Sequence, residues 1–263
     1  VTMARFSALF SSSSGNCTFI GSGTGGILVD VGVSAKQALA ALDCIGVDIK
    51  DIAAIFVTHE HSDHIKGLRA LASKYGIDVY SSKGTLSKLE DMGKLCDKYN
   101  SMIMPQEGVE CRGMFVRSFH TSHDCAESLG FTVETPDERK ISVLTDTGVV
   151  TQDMEDAVSG SDLILIESNH DIGMLRNGPY NYNLKRRILS NKGHLSNVAC
   201  ADLVTRLVQN GTTRLVLGHL SKENNIPELA YQTSRASLET AGAKENADYI
   251  MYVAGSDMRT VIL

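Results

Sequence analysis

The sequence predicts a single α/β domain, residues 1–263, and three observations carry that expectation. Short apolar runs alternate with helix-like segments along nearly the whole chain. With 263 residues at 43% hydrophobic content, the chain can bury one substantial core. The apolar runs also end again and again in a histidine or a carboxylate, and an α/β protein collects its ligands where strands end.

Taken in order, residues 5–10 and 17–21 read as strands joined by the small polar turn 11–16. That turn is either a plain hairpin connection or a rim where backbone amides with Ser14 and Asn16 bind an anion. Residues 26–32 form a buried strand ending in Asp30 and Gly32. Ser34 then caps a helix over 35–45 that Gly46 closes. The strand 52–57 delivers Thr58-His59-Glu60-His61-Ser62-Asp63-His64 into a loop, and a helix over 65–75 leads to a strand at 78–81. A polar, helical stretch occupies 83–100. Strands follow at 101–105, 110–119, 129–135 and 140–145, with a clear hairpin turn at 135–139. A helix over 150–159, a strand over 163–168 and a helical segment over 180–189 come next. Gly193 and Ser196 frame His194 at the start of a helix over 197–209, where backbone amides favour anions. A strand from Arg214 delivers His219, and a helix over 227–241 and a strand over 249–254 complete the reading.

A net charge of −6 and a pI near 5.7 exclude a protein that coats nucleic acid through a globally basic surface, though not a local basic patch such as Lys185-Arg186-Arg187 with Lys192. The stretch 1–6 has no basic segment followed by a long apolar run, and no run approaches membrane-spanning length. Cysteines 17, 44, 96, 111, 125 and 200 contain no C-x-x-C pair and read as reduced thiols. The expectation is a cytoplasmic protein with no membrane partner.

The heptad 58–64 is the densest chemistry in the chain. His59 and His61 lie two apart, so in an extended chain their rings project to the same side and grip one metal ion, while Asp63 and His64 reach a second. Strand ends add His123 (or His120), Asp146 and His219. The simplest assembly gives His59, His61 and His123 to one ion and Asp63, His64 and His219 to the other, with Asp146 bridging. Open positions on each ion mark catalysis, and a hydroxide bridging ions ~3.5–4 Å apart is the expected nucleophile, with Asp63 able to accept its proton. Asp30 is expected to orient a ligand. Histidine and aspartate ligation without a clear thiolate suits two divalent ions, Zn²⁺ or Mn²⁺, with iron also permitted.

With these residues in place the chain resembles the metallo-β-lactamase superfamily, whose H-x-H-x-D-H signature stands here as His59-x-His61-x-Asp63-His64. Within it, the motifs at 13–17, 58–67, 122–124, 167–171, 193–197 and 219–225 look like the bacterial YycJ/WalJ group of exonuclease-like metallohydrolases. The resemblance implies an αββα sandwich, two mixed sheets flanked by helices, and a 5′→3′ exonuclease acting on DNA. Gly193-His194-Leu195-Ser196-Asn197 also resembles the histidine motif of the ribonuclease Z branch. Carried over, His194 contacts phosphate or protonates the leaving oxygen, and Glu167 orients it. Ser14, Asn16 and Ser196 are the candidate substrate-binding residues. No counterpart of the ribonuclease Z arm or of the β-CASP insertion is evident. The signature is shared across chemistries, so a small-molecule hydrolase of a thioester, lactone or cyclic phosphodiester remains the alternative, and a catalytically vestigial metal protein ranks last.

Overall fold

The computed structural model describes residues 3–23, 25–255 and 260–263; Val1 and Thr2 of the amino-terminal stretch lie outside them. The chain opens with β1 (Ala4–Ser12), β2 (Gly15–Ser22) and β3 (Gly25–Val29). It continues through α1 (Ala35–Cys44), β4 (Ile52–Phe56), α2 (Ser62–Ile65), α3 (Leu68–Tyr75), β5 (Asp78–Ser81), α4 (Lys83–Asp91) and β6 (Ser101–Ile103). Then come β7 (Val109–Cys111), β8 (Met114–His120), β9 (Leu129–Glu134), β10 (Lys140–Leu144), α5 (Gln152–Val158) and β11 (Leu163–Glu167). The last elements are α6 (Ile172–Asn177), α7 (Tyr182–Ile188), α8 (Asn197–Gln209), β12 (Arg214–Gly218), α9 (Pro227–Thr240), β13 (Ile250–Val253) and β14 (Thr260–Ile262).

These strands form two seven-stranded sheets, ordered β14-β1-β2-β3-β4-β5-β6 and β13-β12-β11-β10-β9-β8-β7. Each is antiparallel at one end and parallel at the other, β3 to β6 in the first and β10 to β13 in the second. Their inner faces pack together through Phe6, Ile20 and Phe56 on one side and Val116, Phe131 and Leu165 on the other. Phe56 meets Phe131 edge-on at 5.6 Å between centroids. Leu42, Leu71 and Leu89 from α1, α3 and α4 cover the outside of the first sheet, and Met154, Leu203 and Leu238 from α5, α8 and α9 that of the second. This is the expected αββα sandwich. It explains why β3, β4 and β11 are continuous apolar runs: they are buried on both faces.

Several boundaries differ from the sequence expectation. The strand expected at 110–119 is a hairpin, because Arg112 and Gly113 both take left-handed backbone (φ 50 and 77), the two-residue turn that matches strand twist. The helix expected over 65–75 splits into α2 and α3. At the break the Gly67 N–H donates to Val31 O at 2.9 Å, and a side chain on Gly67 would lie 2.3 Å from the carbonyl oxygen of Val33. The 83–100 stretch is helical only to Asp91, ahead of Gly93 at φ 63. The 11–16 turn shrinks to Ser13 and Ser14 between β1 and β2, while α6 and β14 were not expected at all. No helix among the described residues is long and apolar enough to cross a membrane.

Candidate metal centre

The heptad leaves β4 as expected. His59 is fully buried, and His61 stays extended (φ −64, ψ 149) before Asp63 and His64 enter the first turn of α2. Close packing fixes this loop against the amino-terminal hairpin: the Gly32 N–H donates to Asn16 O at 2.6 Å, and a Cβ on Gly32 would sit 1.6 Å from the Asp63 carbonyl oxygen. Only glycine permits that approach.

Two donor groups result. His59, His61 and His123 each offer a ligand atom within 4.8 Å of the others, and so do Asp63, His64 and His219. Asp146 lies between them, its Oδ2 3.3 Å from His64 Nε2 and its Oδ1 3.8 Å from His123 Nε2 and 3.5 Å from His219 Nε2. Every candidate ligand is thus brought to one place. His120 is not; its ring is 71% exposed and faces Glu127. No cysteine joins a donor group among the described residues, and burial pushes the Cys125 thiol up to about 11.

The cluster fits a divalent cation on its own chemistry. His59 Nε2, His219 Nε2 and Asp146 Oδ2 are buried without a hydrogen-bond partner, and His123 Nε2 and His61 Nδ1 face each other at 3.2 Å. Each stranded polar atom costs about 1–3 kcal/mol unless something satisfies it, and a cation would satisfy all of them together.

Behind the donors, a second set of contacts orients the rings. His64 Nδ1 lies 2.7 Å from Asp30 Oδ2, and His219 Nδ1 lies 2.7 Å from Glu167 Oε1. His123 Nδ1 donates to Gly193 O at 3.0 Å. The Thr58 hydroxyl donates to Asp30 Oδ2 at 2.9 Å and receives His59 Nδ1 at 3.0 Å. With Nδ1 engaged in each case, Nε2 is the nitrogen left for a metal. Sequence reasoning gave Asp30 this orienting place but missed Thr58 and the Gly193 carbonyl. Thr58 stands next to the first histidine, yet nothing in the sequence marks its hydroxyl as a bridge.

Three of these residues, Asp30, Asp146 and His219, hold left-handed backbone at φ 61, 56 and 55, within two residues of the ends of β3, β10 and β12. Such strain costs on the order of 1–3 kcal/mol per residue and clusters where function requires it. Here it turns each side chain off its strand toward the same edge of the sandwich.

The electrostatics follow burial and neighbours. Burial lowers His59 well below an ordinary imidazole, with other histidines adding to the effect, and lowers His123 against the pull of Asp146 and Glu167. Burial also opposes charge on His219, but Asp146, Asp63 and Glu167 outweigh it and push its pKa up to about 10. The anionic side of the cluster therefore holds protons in the absence of another cation.

Of the remaining candidates, Asn16 and His194 touch the donor cluster, whereas the contacts of Ser14 and Ser196 are to neighbours outside it. Asn16 is buried, its Nδ2 3.1 Å from His64 Nε2 and 3.4 Å from Asp63 Oδ2. Ser14 is exposed at the hairpin tip and shares a 2.9 Å hydrogen bond with Ser12. The Ser196 hydroxyl accepts the Ala199 N–H at 3.2 Å as the cap of α8. His194 sits at the rim with its side chain 20% exposed, and its Nδ1 donates to Glu167 Oε1 at 2.7 Å.

A helix-flanked sandwich with such a donor set at one edge defines a metal-dependent hydrolase of the metallo-β-lactamase fold. Residues 26–220 match the family model described as the beta-lactamase superfamily domain. The chain is 39% identical over 259 residues to a protein of Streptococcus pneumoniae named exodeoxyribonuclease WalJ, covering 97% of this chain and 96% of that protein. It is 38% identical to exodeoxyribonuclease YycJ of Bacillus anthracis, with 90% of each chain covered. Among solved structures, the metallo-beta-lactamase fold protein YhfI from Bacillus subtilis superposes with a TM-score of 0.72 at 12% identity over 99% of both chains. The chain belongs to the beta-lactamase superfamily and, within it, to the family of WalJ and YycJ.

Proposed function

We propose that this protein is one catalytic domain, a dinuclear metal-dependent phosphodiesterase that acts on DNA as a 5′→3′ exonuclease in the cytoplasm. The observation that carries this reading is the His194–Glu167 pair. Glu167 is fully buried and holds His194 Nδ1, leaving Nε2 for a phosphate at the rim of the donor cluster. His194 Nδ1 is also 3.6 Å from Asp146 Oδ1, so the pair and the metal ligands address one small volume. Burial opposes charge on His194, but Glu167 and Asp146 more than offset it and raise its pKa, which suits a group that binds phosphate or gives a proton to the leaving oxygen.

Two divalent ions, zinc or manganese, would be held by His59, His61 and His123 and by Asp63, His64 and His219, with Asp146 between. When bound they supply activated water for in-line attack and neutralise charge on the phosphate. Asp63 would take the water's proton, and Asn16, Ser14 and Ser196 are the candidates for holding the substrate. Names of the relatives favour DNA over small esters. The free cysteines suit a reducing compartment.

The test is a panel of end-labelled DNA and RNA, with and without a 5′-phosphate, alongside a thioester, a lactone and a β-lactam. Metal-free protein is re-supplied with Mn²⁺ or Zn²⁺. Mononucleotides should appear from the 5′ end, and His194→Ala should keep its metals while losing about 10²–10⁴-fold in kcat. Intact nucleic acid together with a cleaved thioester or lactone would establish the small-molecule alternative instead.

A further inference from the structure

The segment carrying His194 has a charge unlike the rest of the chain. From residue 172 to 201 there are five basic residues (Arg176, Lys185, Arg186, Arg187, Lys192) and no Asp or Glu, against −6 for the whole protein. The same segment presents Tyr182, 72% exposed, in a chain with 6% aromatic residues. Tyr182 and Arg186 are four apart on α7, so they share a face, and the Arg186 guanidinium lies 5.7 Å from the tyrosine ring centroid.

This face is fastened to the metal centre. Arg187 pairs with Asp124, the neighbour of His123, through its Nε and through Nη2 at 3.0 Å. The Ser122 hydroxyl donates to Asn191 O at 2.8 Å, His123 to Gly193 O at 3.0 Å, and the His194 N–H to Ile188 O at 3.0 Å. From Tyr182 to Ile188 the helix rises only about 9 Å. One strand can therefore touch both the platform and the cluster.

We propose that α7 and the turn after it form the track for an unpaired DNA tract adjoining the scissile phosphate. One base stacks on Tyr182, while Lys185, Arg186 and Lys192 meet the backbone phosphates. Stacking requires an exposed base face, which the interior of a duplex does not offer, so the track favours an unpaired tract. This inference rests on the DNA-directed reading above, and the experiment separates the two.

Binding of a fluorescein-labelled phosphorothioate single strand to the metal-loaded protein is followed by anisotropy, independently of cleavage. Tyr182→Ala should weaken binding about tenfold, and Tyr182→Phe should restore it. The triple variant Lys185→Gln, Arg186→Gln, Lys192→Gln should flatten the slope of log affinity against log salt by about 2, at roughly 0.7 per phosphate contact on a single strand. In cleavage, the loss on single-stranded DNA should exceed any change on bis(4-nitrophenyl) phosphate by the same factor of about ten. Wild-type affinity and salt slope in these variants, or an equal loss on duplex DNA, would overturn the track even if the enzyme cuts DNA. A protein that binds single strands through Tyr182 but cuts none would support the track and remove the exonuclease reading.

Discussion

Asp30 follows β3 in the first sheet and Glu167 closes β11 in the second, and each is a buried carboxylate that accepts the Nδ1–H of a histidine. Their own ionisation is driven in opposite directions. Burial dominates at Asp30 and raises its pKa, with His64 and Thr58 recovering only part of that cost. Burial also acts against Glu167, yet His194 and His219 share its Oε1, the Thr147 and Leu195 N–H groups reach its Oε2, and the carboxyl is held well below the usual range. The difference separates two roles. Asp30 bonds one candidate ligand directly, His64, and reaches His59 through Thr58; Glu167 joins the candidate ligand His219 to His194, the residue proposed to meet the substrate.

The largest effect should come from Glu167→Gln, which removes the charge and leaves one acceptor oxygen where two histidines and two backbone N–H groups use two. Loss of His194 function and of His219 orientation should together lower activity about 10³-fold or more at limiting metal, and saturating metal should recover only the His219 part. Full recovery would show that the carboxylate serves the metal alone. Asp30→Asn should be milder. Asparagine tolerates the left-handed backbone at this position, and metal affinity should fall about 10–100-fold while kcat at saturating metal stays near wild type. A kcat defect that saturating metal leaves in place would collapse the distinction between the two carboxylates.

The smallest effect concerns a histidine outside the donor groups. His170 is 1% exposed, neither ring nitrogen has a hydrogen-bond partner, and burial lowers its pKa to about 4 from 6.5. Between those values the unfolded chain binds a proton that the folded one refuses, so stability is lost as pH falls from 6.5 toward 4. From about pH 7.5 to about pH 5 this removes about 2 kcal/mol. In denaturant unfolding of metal-free protein, His170→Phe should gain that amount on wild type over the same interval. An unchanged gap would show that His170 takes up its proton freely in the fold.

The two halves of the site were unequally legible. The first sheet writes its donors into consecutive residues: His59, His61, Asp63 and His64 stand in one heptad, and period-two geometry is enough to assign the first pair to one ion. The second sheet contributes single residues from separate strand ends, His123, Asp146 and His219, which gain meaning only by recurrence. The sequence favoured His123 but left His120 as an alternative, and packing leaves His120 in solvent and ties His123 to Gly193. Local turn chemistry escaped too: Arg112-Gly113 folds back as a hairpin, and α6 and β14 carry too weak a pattern to stand out from their flanks.

By itself, the sequence determined the α/β class, through apolar runs alternating with helix-like segments, and the donor types, through a motif whose spacing is local, while the αββα layering was implied by the family resemblance. Tertiary structure alone decided which carboxylate stands behind which ring. It also decided that Asn16 is walled in beside His64 and that Glu167 serves two histidines. Those contacts join residues 27 to 52 positions apart, and an orienting hydrogen bond is set by which strand ends and loops lie side by side at one edge of a sheet, which no local spacing encodes.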